Sequence, residues 1–405
     1  MNGVAQLAAH TGYSISGSDR STGLEIFQTL EKQGIRILLQ NGSGISEETD
    51  AVVYSTAIES NNPEIQKSKS LNIPLLHRAE MLAKLCEGKE VIAVAGSAGK
   101  STVTGLLGWI FERLGKDPTV YCGAQINNFG SSIRFGSDPW IIEADESDRS
   151  FLHFHPQHAI ITNISEDHFE LPELRELFAQ FKAQVSDIVI DEANGVSTNN
   201  LMNRDYQIIG LTPERIPLLG RHNVENVNNA LSLCKALDLD LQKCMEAVHT
   251  FKGVERRLER IGKRVFDDYA HSPVKIEAAF TAVTERYDRV LAYWRPHGFG
   301  PLAQHADALR KLLPRLLRPA DLFFVLPVYY AGGTVKKKLT AEQFCEGLDA
   351  VEFIPDYDAL EDKLRAEAGS EDAILGMGAR DPELPKFARR LTEVLMVGTD
   401  RRAVR

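Results

Sequence analysis

A multi-domain α/β protein built on parallel sheets is what this sequence predicts, and three observations predict it. Short apolar runs alternate with amphipathic helical stretches along the whole chain, from residues 35–39 to 373–375. One run, Val91-Ile92-Ala93-Val94, passes through Ala95-Gly96-Ser97-Ala98-Gly99 into Lys100-Ser101-Thr102. A helical pattern carrying Leu106, Leu107, Ile110 and Phe111 follows it. In the last third, successive apolar runs end in polar or glycine-rich turns, the edge at which α/β sheets bind ligands.

Composition narrows the class. At 405 residues the chain has length for two to three domains, and 43% hydrophobic against 25% charged residues is a soluble globular balance. A net charge of −10 argues against broad nucleic-acid binding but leaves room for an anion held in a local pocket. Cys86, Cys122, Cys234, Cys244 and Cys345 are scattered, without a C-x-x-C pair, so neither a zinc site nor a disulfide framework is expected. No apolar run reaches membrane-spanning length, and no basic-then-apolar leader opens the chain. The expectation is a cytoplasmic protein without nucleic-acid or membrane partners, monomeric or homodimeric.

Taken in order, residues 1–10 read as a helix, 13–19 as a strand ending in a polar turn, 24–33 as a helix, and 35–39 and 51–55 as strands. A helix from Glu64 follows Pro63. Ser18, Asp19, Ser55 and Thr56 fall at strand ends and are candidate ligand contacts, although Ser, Thr and Asp also supply ordinary turns and caps, the reading these residues alone favour. A helix at 78–86 and the polar 87–90 mark a boundary after residue 88.

The glycine turn that follows has the parts of a phosphate-binding loop. Backbone N–H groups of Gly96 to Thr102 and the helix dipole would cradle oxyanions, Lys100 would reach terminal phosphates, and the Ser101 hydroxyl could hold Mg²⁺. Its G-x-x-G-K-S spacing is two residues shorter than the usual loop. Residues 140–148 deliver Glu143, Asp145, Glu146 and Asp148 to a strand end, where a Mg²⁺ ligand belongs, although such a cluster is often a solvated turn. The strand at 159–164 leads to Asp167-His168, with His168 either structural or a metal ligand.

Residues 171–184 read as a helix and 187–190 as a strand; Gly220-Arg221-His222-Asn223 opens a helix through Ala236 that carries Asn226, Asn228 and Asn229 as caps or contacts. Arg256-Arg257, near the exit from this domain, are a solvated face or phosphate clamps. Strands at 265–269, 289–294, 322–328 and 373–375 then form a second doubly wound domain.

In this order the segments resemble the Mur ligase family over nearly the whole chain. Gly17-Ser18-Asp19, Ser55-Thr56-Ala57-Ile58, Asn62-Pro63-Glu64 and Arg78-Ala79-Glu80-Met81-Leu82 look like its UDP-binding domain. Residues 95–102 are similar to its G-T-H-G-K-T-T loop, which accounts for the short spacing. Glu143 to Asp148, Thr162-Asn163-Ile164 with Asp167-His168, Gly220 to Asn223, Arg256-Arg257, and Asp267-Asp268-Tyr269 with His271 and Pro273 follow its later motifs.

The resemblance implies an α/β fold of three domains: an incomplete N-terminal Rossmann-like domain (1–88), a central P-loop ATPase-like domain (89–254) and a C-terminal Rossmann-like domain (255–405). It implies an ATP- and Mg²⁺-dependent ligase that joins an amino acid to a UDP-N-acetylmuramate-like carboxylate through an acyl phosphate. Lys100, Glu143, His168 and Arg257 would carry catalysis, and Ser101, Glu143 and His168 the metal. Gly96, Ser97, Ala98, Gly99, Lys100, Ser101, Thr102, Asn223, Arg257, Asp268 and His271 would hold ATP. Ser18, Asp19, Ser55, Thr56, Ala57 and His297 would hold substrate.

Departures fall mainly on the acceptor side. The chain opens after the family's usual first strand and Gly-rich turn, so Met1 is either an internal methionine or the start of a domain lacking that strand. Ser97-Ala98 replaces Thr-His, the P-H-R-Y-x-R segment reads Pro296-His297-Gly298-Phe299-Gly300-Pro301, and A-G-E reads Ala331-Gly332-Gly333. Glu146-Ser147-Asp148 favours the alanine-adding pattern over the peptide-recycling one. A Mur-type ligase with another acceptor and a non-catalytic nucleotide-binding relative are the alternatives.

Overall fold

The computed structural model describes residues 1–21, 23–165, 170–191, 195–198, 201–203, 211–330 and 339–402. They form two compact units, Met1–Leu211 with Glu225–Lys252, and Thr212–Val224 with Gly253–Arg405.

The first unit is centred on an eight-stranded sheet. Val91–Ala95, buried at all five positions, lies between the parallel strands His158–Ile161 and Ser137–Glu143. Ile188–Asp191 and Pro118–Ile126 extend the parallel core outward. Antiparallel strands Gly195–Thr198, Leu201–Asn203 and Ser131–Arg134 complete the edges. A run apolar on both faces is what a central parallel strand requires.

Register sets the site. Val94 pairs with Glu143 and Ala95 with Ile161, so the acid and the Thr162-Asn163 turn leave their strands beside Gly96. The helix Lys100–Arg113 then packs back on the sheet through Val103, Leu106, Leu107 and Ile110, all fully buried. Each such side chain contributes about 1.5–3 kcal/mol. Gly108 lets the helix approach closely, since a Cβ there would stand 2.8 Å from Val120 Cγ2. Trp109 Nε1 donates to Ala247 O at 3.1 Å and to Thr250 Oγ1 at 3.0 Å, tying in the helix Leu241–His249.

Ahead of this sheet are two separate parallel pairs, Ser16–Asp19 with Arg36–Leu39 and Val52–Tyr54 with Leu75–His77. Residues 13–15, expected in the first strand, lie outside it. The helix Pro63–Ser70 starts where Asn62 Oδ1 accepts the Glu64 N–H at 3.0 Å and proline occupies the first turn. Val4, Leu7 and Ala8 of the helix Asn2–His10 join Met81, Leu82, Leu85 and Trp140 in one core.

The second unit holds a six-stranded sheet ordered Glu259–Arg260, Val265–Asp268, Ala373–Gly378, Val290–Arg295, Leu322–Val325 and Val351–Phe353, parallel except for its first strand. Neighbouring residues serve opposite faces, as strand periodicity demands. Phe266, Trp294 and Phe323 enter one core, Val265, Tyr293 and Phe324 the other. The apolar run at 322–328 is strand only to Val325, and that at 159–164 only to Ile161. Leu75–His77, Pro118–Ile126 and Val351–Phe353 are strands that periodicity did not mark. Among the described residues no helix is long and apolar enough to cross a membrane.

Candidate active site

The loop between Ala95 and Lys100 is shaped by two glycines for different reasons. Gly96 has φ +132, and a Cβ there would lie 2.1 Å from Thr162 Oγ1. Gly99 has φ +84, and its Cβ would meet Asn226 Oδ1 at 2.3 Å. Both need glycine for conformation and for space.

The Thr162–Ser165 segment braces the loop's outer turn. Asn163 O accepts the Ser97 N–H at 3.0 Å, and Asn163 Oδ1 accepts the Ala98 N–H at 3.1 Å. Asn163 Nδ2 donates to Ala98 O at 2.9 Å, and Ser97 Oγ donates to Ser165 O at 2.8 Å. The amides of Ser97 and Ala98, expected to face phosphate, are therefore engaged by Asn163. The cradle rests on the first-turn amides of Lys100–Arg113, which have no intrahelical acceptor, and on the positive end of a 14-residue helix.

Ser101 and Glu143 come together as expected. Ser101 Oγ donates to Glu143 Oε1 at 3.1 Å, while Glu143 Oε2 accepts the Gly123 N–H at 2.7 Å. A hydroxyl and a fixed carboxylate are the hard oxygen donors that Mg²⁺ takes, leaving positions for water and phosphate. Among the described residues there is no group of three or more His, Cys, Asp or Glu able to hold a metal. His168 lies outside the described residues.

Lys100 is held by two acceptors, Gly96 O at 2.8 Å and Glu146 Oε2 at 2.7 Å. Burial pushes the Glu146 carboxyl above its ordinary value although Lys100 draws it down. Burial also acts on Asp145, but Lys100, Ser147 and Arg78 more than reverse it, leaving that carboxyl below its ordinary value. Arg78 itself donates to Tyr121 Oη at 3.2 Å.

Ser18 and Asp19 end one N-terminal strand, where Asp19 Oδ1 accepts the Ser21 N–H at 2.8 Å in a local turn. Ser55, Thr56 and Ala57 follow the Val52–Tyr54 strand, with the Ile58 N–H donating to Ser55 O at 3.0 Å. Both groups sit at the ends of parallel strands, the placement a ligand edge requires.

In the second unit, Asn223 is buried and its Nδ2 donates to Leu219 O at 2.7 Å. Arg257 is exposed over the Tyr269 ring at 5.6 Å. Its neighbour Arg256 is structural instead, donating to Asp267 Oδ2 at 2.9 Å and to Gly378 O at 2.6 Å. Asp268 accepts the N–H groups of Leu258 at 2.6 Å and Ala270 at 2.7 Å, so its carboxylate also shapes the turn. The His271 and His297 rings meet edge-on at 4.9 Å. Burial, with His271, Arg380 and His305, pushes the His297 imidazole down to about 4, so it is neutral at pH 7. Arg380 holds φ +66, the left-handed region that favours glycine, in the turn after Gly378.

Sequence reasoning missed Glu146, Asn163 and Asn226 as loop partners. A polar side chain on the buried face of a helix was the available sign for Asn226; the other two depended on register.

The sheets and the strand–loop–helix cradle define the class, a phosphate-loop α/β protein carrying a second doubly wound unit. Family models described as "Mur ligase family, catalytic domain" and "Mur ligase, glutamate ligase domain" match residues 1–90 and 256–380. The UDP-N-acetylmuramate–L-alanine ligase of Rubrobacter xylanophilus is 33% identical over 430 residues, covering 94% of this chain and 95% of that protein. The corresponding ligase of Desulforamulus reducens is 33% identical over 434 residues, covering 94% and 93%. Among solved structures, the UDP-N-acetylmuramate–alanine ligase of Thermotoga maritima superposes with a TM-score of 0.76 at 24% identity, covering 98% of this chain and 96% of that one. A murein peptide ligase from Psychrobacter arcticus gives 0.62 at 21% identity, with the same coverage. The chain belongs to the Mur ligase family.

Proposed function

We propose that this protein is a cytoplasmic ATP-dependent ligase that joins L-alanine to the carboxylate of UDP-N-acetylmuramate in peptidoglycan precursor synthesis. The relatives named for that reaction align over nearly its whole length, which supports the substrate pair. The observation that carries the chemistry is the Ser101–Glu143 pair, 3.1 Å apart, directly beside Lys100.

The reaction must bring a carboxylate against the γ-phosphate of ATP, two anions that repel. Lys100 and the first-turn amides of its helix supply positive charge on the phosphate side. Ser101 and Glu143 would hold Mg²⁺, with His168 as a further ligand, and the ion would neutralise charge building on the phosphates. The substrate carboxylate attacks phosphorus and ADP leaves. The amine then attacks the acyl phosphate, and loss of phosphate and a proton gives the amide. Asn223, Arg257, Asp268 and His271 are proposed to complete the ATP site, and Ser18, Asp19, Ser55, Thr56, Ala57 and His297 to hold substrate. The division into domains 1–88, 89–254 and 255–405 belongs to this reading.

A second reading keeps the ligase and changes the acceptor. It is favoured by the absence of arginine from residues 296–301.

The test is phosphate release from Mg-ATP with UDP-N-acetylmuramate across a panel of amino acids and short peptides. Release that requires L-alanine is expected. Release with a different amine would establish the second reading, and nucleotide binding without release on any amine would refute the ligase. Lys100→Ala should abolish release and keep the fold by circular dichroism.

A further inference from the structure

The carboxylate on Lys100 belongs to Glu146, which has no part in the reaction as proposed above. Glu146 is buried, its Oε2 stands 2.7 Å from Lys100 Nζ, and Lys100 is the only cation with which it pairs among the described residues. Gly96 O takes a second ammonium proton at 2.8 Å, so the lysine is folded back over its own loop. Asp145, the other acid facing this pair, has Ser147 N–H and Arg78 as further support. Glu146 has neither of these, and its only further support is its own backbone N–H.

We propose that Glu146 is a positioning residue that acts as an internal substitute for phosphate. It holds Lys100 against its own loop, and an incoming nucleotide must displace it from the ammonium. This rests on the nucleotide-site reading above.

The physical reason is competition between two anions for one cation. A charged hydrogen bond in a buried setting is strong, and burial denies Glu146 the water that would compensate it once Lys100 moves to phosphate. Displacement therefore leaves an under-compensated carboxylate beside the bound phosphates, a cost set against nucleotide affinity. The pair also orders the loop, because a partly buried lysine without a counter-ion would be unfavourable. A weakly charged anion cannot dislodge the lysine, whereas a polyphosphate with its metal can.

The proposal has an unusual sign. Loss of a buried ion pair normally weakens a site, but Glu146→Gln, which keeps shape and hydrogen bonding and removes the charge, should bind nucleotide more tightly. The experiment is calorimetric titration of the full chain with Mg-ATP and Mg-ADP, in wild type, Glu146→Gln and Glu146→Asp, with circular dichroism on each. Affinity for both nucleotides should rise about tenfold in Glu146→Gln, the scale of exchanging a charged for a neutral partner. Glu146→Asp, which retains the charge, should remain within about threefold of wild type on the same scale. The KM for ATP should fall in Glu146→Gln, whereas a purely structural role would raise it. Unchanged or weaker binding in folded Glu146→Gln overturns the proposal. No nucleotide binding by wild type or variant would overturn the nucleotide reading itself, and this inference with it.

Discussion

Gly96 is the residue on which the loop's shape turns. Its φ of +132 and the 2.1 Å approach of a Cβ to Thr162 Oγ1 leave alanine no tolerable position. Gly96→Ala should cost about 2–4 kcal/mol from backbone strain and overpacking together. Denaturant melts will check this, and nucleotide titration of the folded fraction should show weakened binding. Gly99→Ala meets a movable side chain, Asn226, so its packing loss should be partly recovered by adding Asn226→Ala, while its φ of +84 keeps the remainder. Glycine at these two positions was legible in the motif. The neighbours that require it, Thr162 and Asn226, were not, because a motif carries no register.

The Val265–Asp268 strand carries a pH-dependent element. Burial pushes the Asp267 carboxyl up to about 7, against the pull of Arg256 and with Asp268 and Glu259 adding to the rise. The folded unit thus holds this proton more tightly than the unfolded chain, whose ordinary value is 3.8. Its stabilising contribution is complete below pH 3.8 and is lost as pH rises through about 7. Asp267→Asn imitates the protonated form at every pH. The stability of wild type relative to this variant should therefore fall between pH 5 and pH 8, measured by thermal melts across that range. A difference independent of pH would place the folded titration elsewhere. The aspartate pair at 267–268 was visible in the sequence, but its division of labour was not: Asp267 pairs with Arg256, and Asp268 holds the turn.

At the scale of the whole molecule, nucleotide binding belongs to folded protein and should add stability by mass action. Mg-ATP at a hundredfold excess over its Kd should contribute about 2.7 kcal/mol. Differential scanning calorimetry should show an upward shift of the transition that reports on the loop-bearing unit. Lys100→Ala should lose that shift. A shift of equal size in Lys100→Ala would place the bound nucleotide away from the loop. Two compact units give the experiment its resolution, since each has its own sheet and core.

The sequence by itself determined the α/β class, the position of the phosphate loop and the family. Each follows from local pattern: apolar runs of strand length, a glycine turn ending in Lys-Ser-Thr, and an ordered set of short motifs. It also offered Ser101 and Glu143 as candidate Mg²⁺ ligands, because both residue types suit the ion and both stand at strand or helix ends. Tertiary structure alone decided what those residues touch. Pairing of Val94 with Glu143 and of Ala95 with Ile161 places an acid on one side of the loop and Asn163 on the other. It also turned two expected phosphate-facing amides toward Asn163 and put Glu146 on Lys100. Strand register is fixed by burial summed across a sheet, which no local stretch of sequence contains.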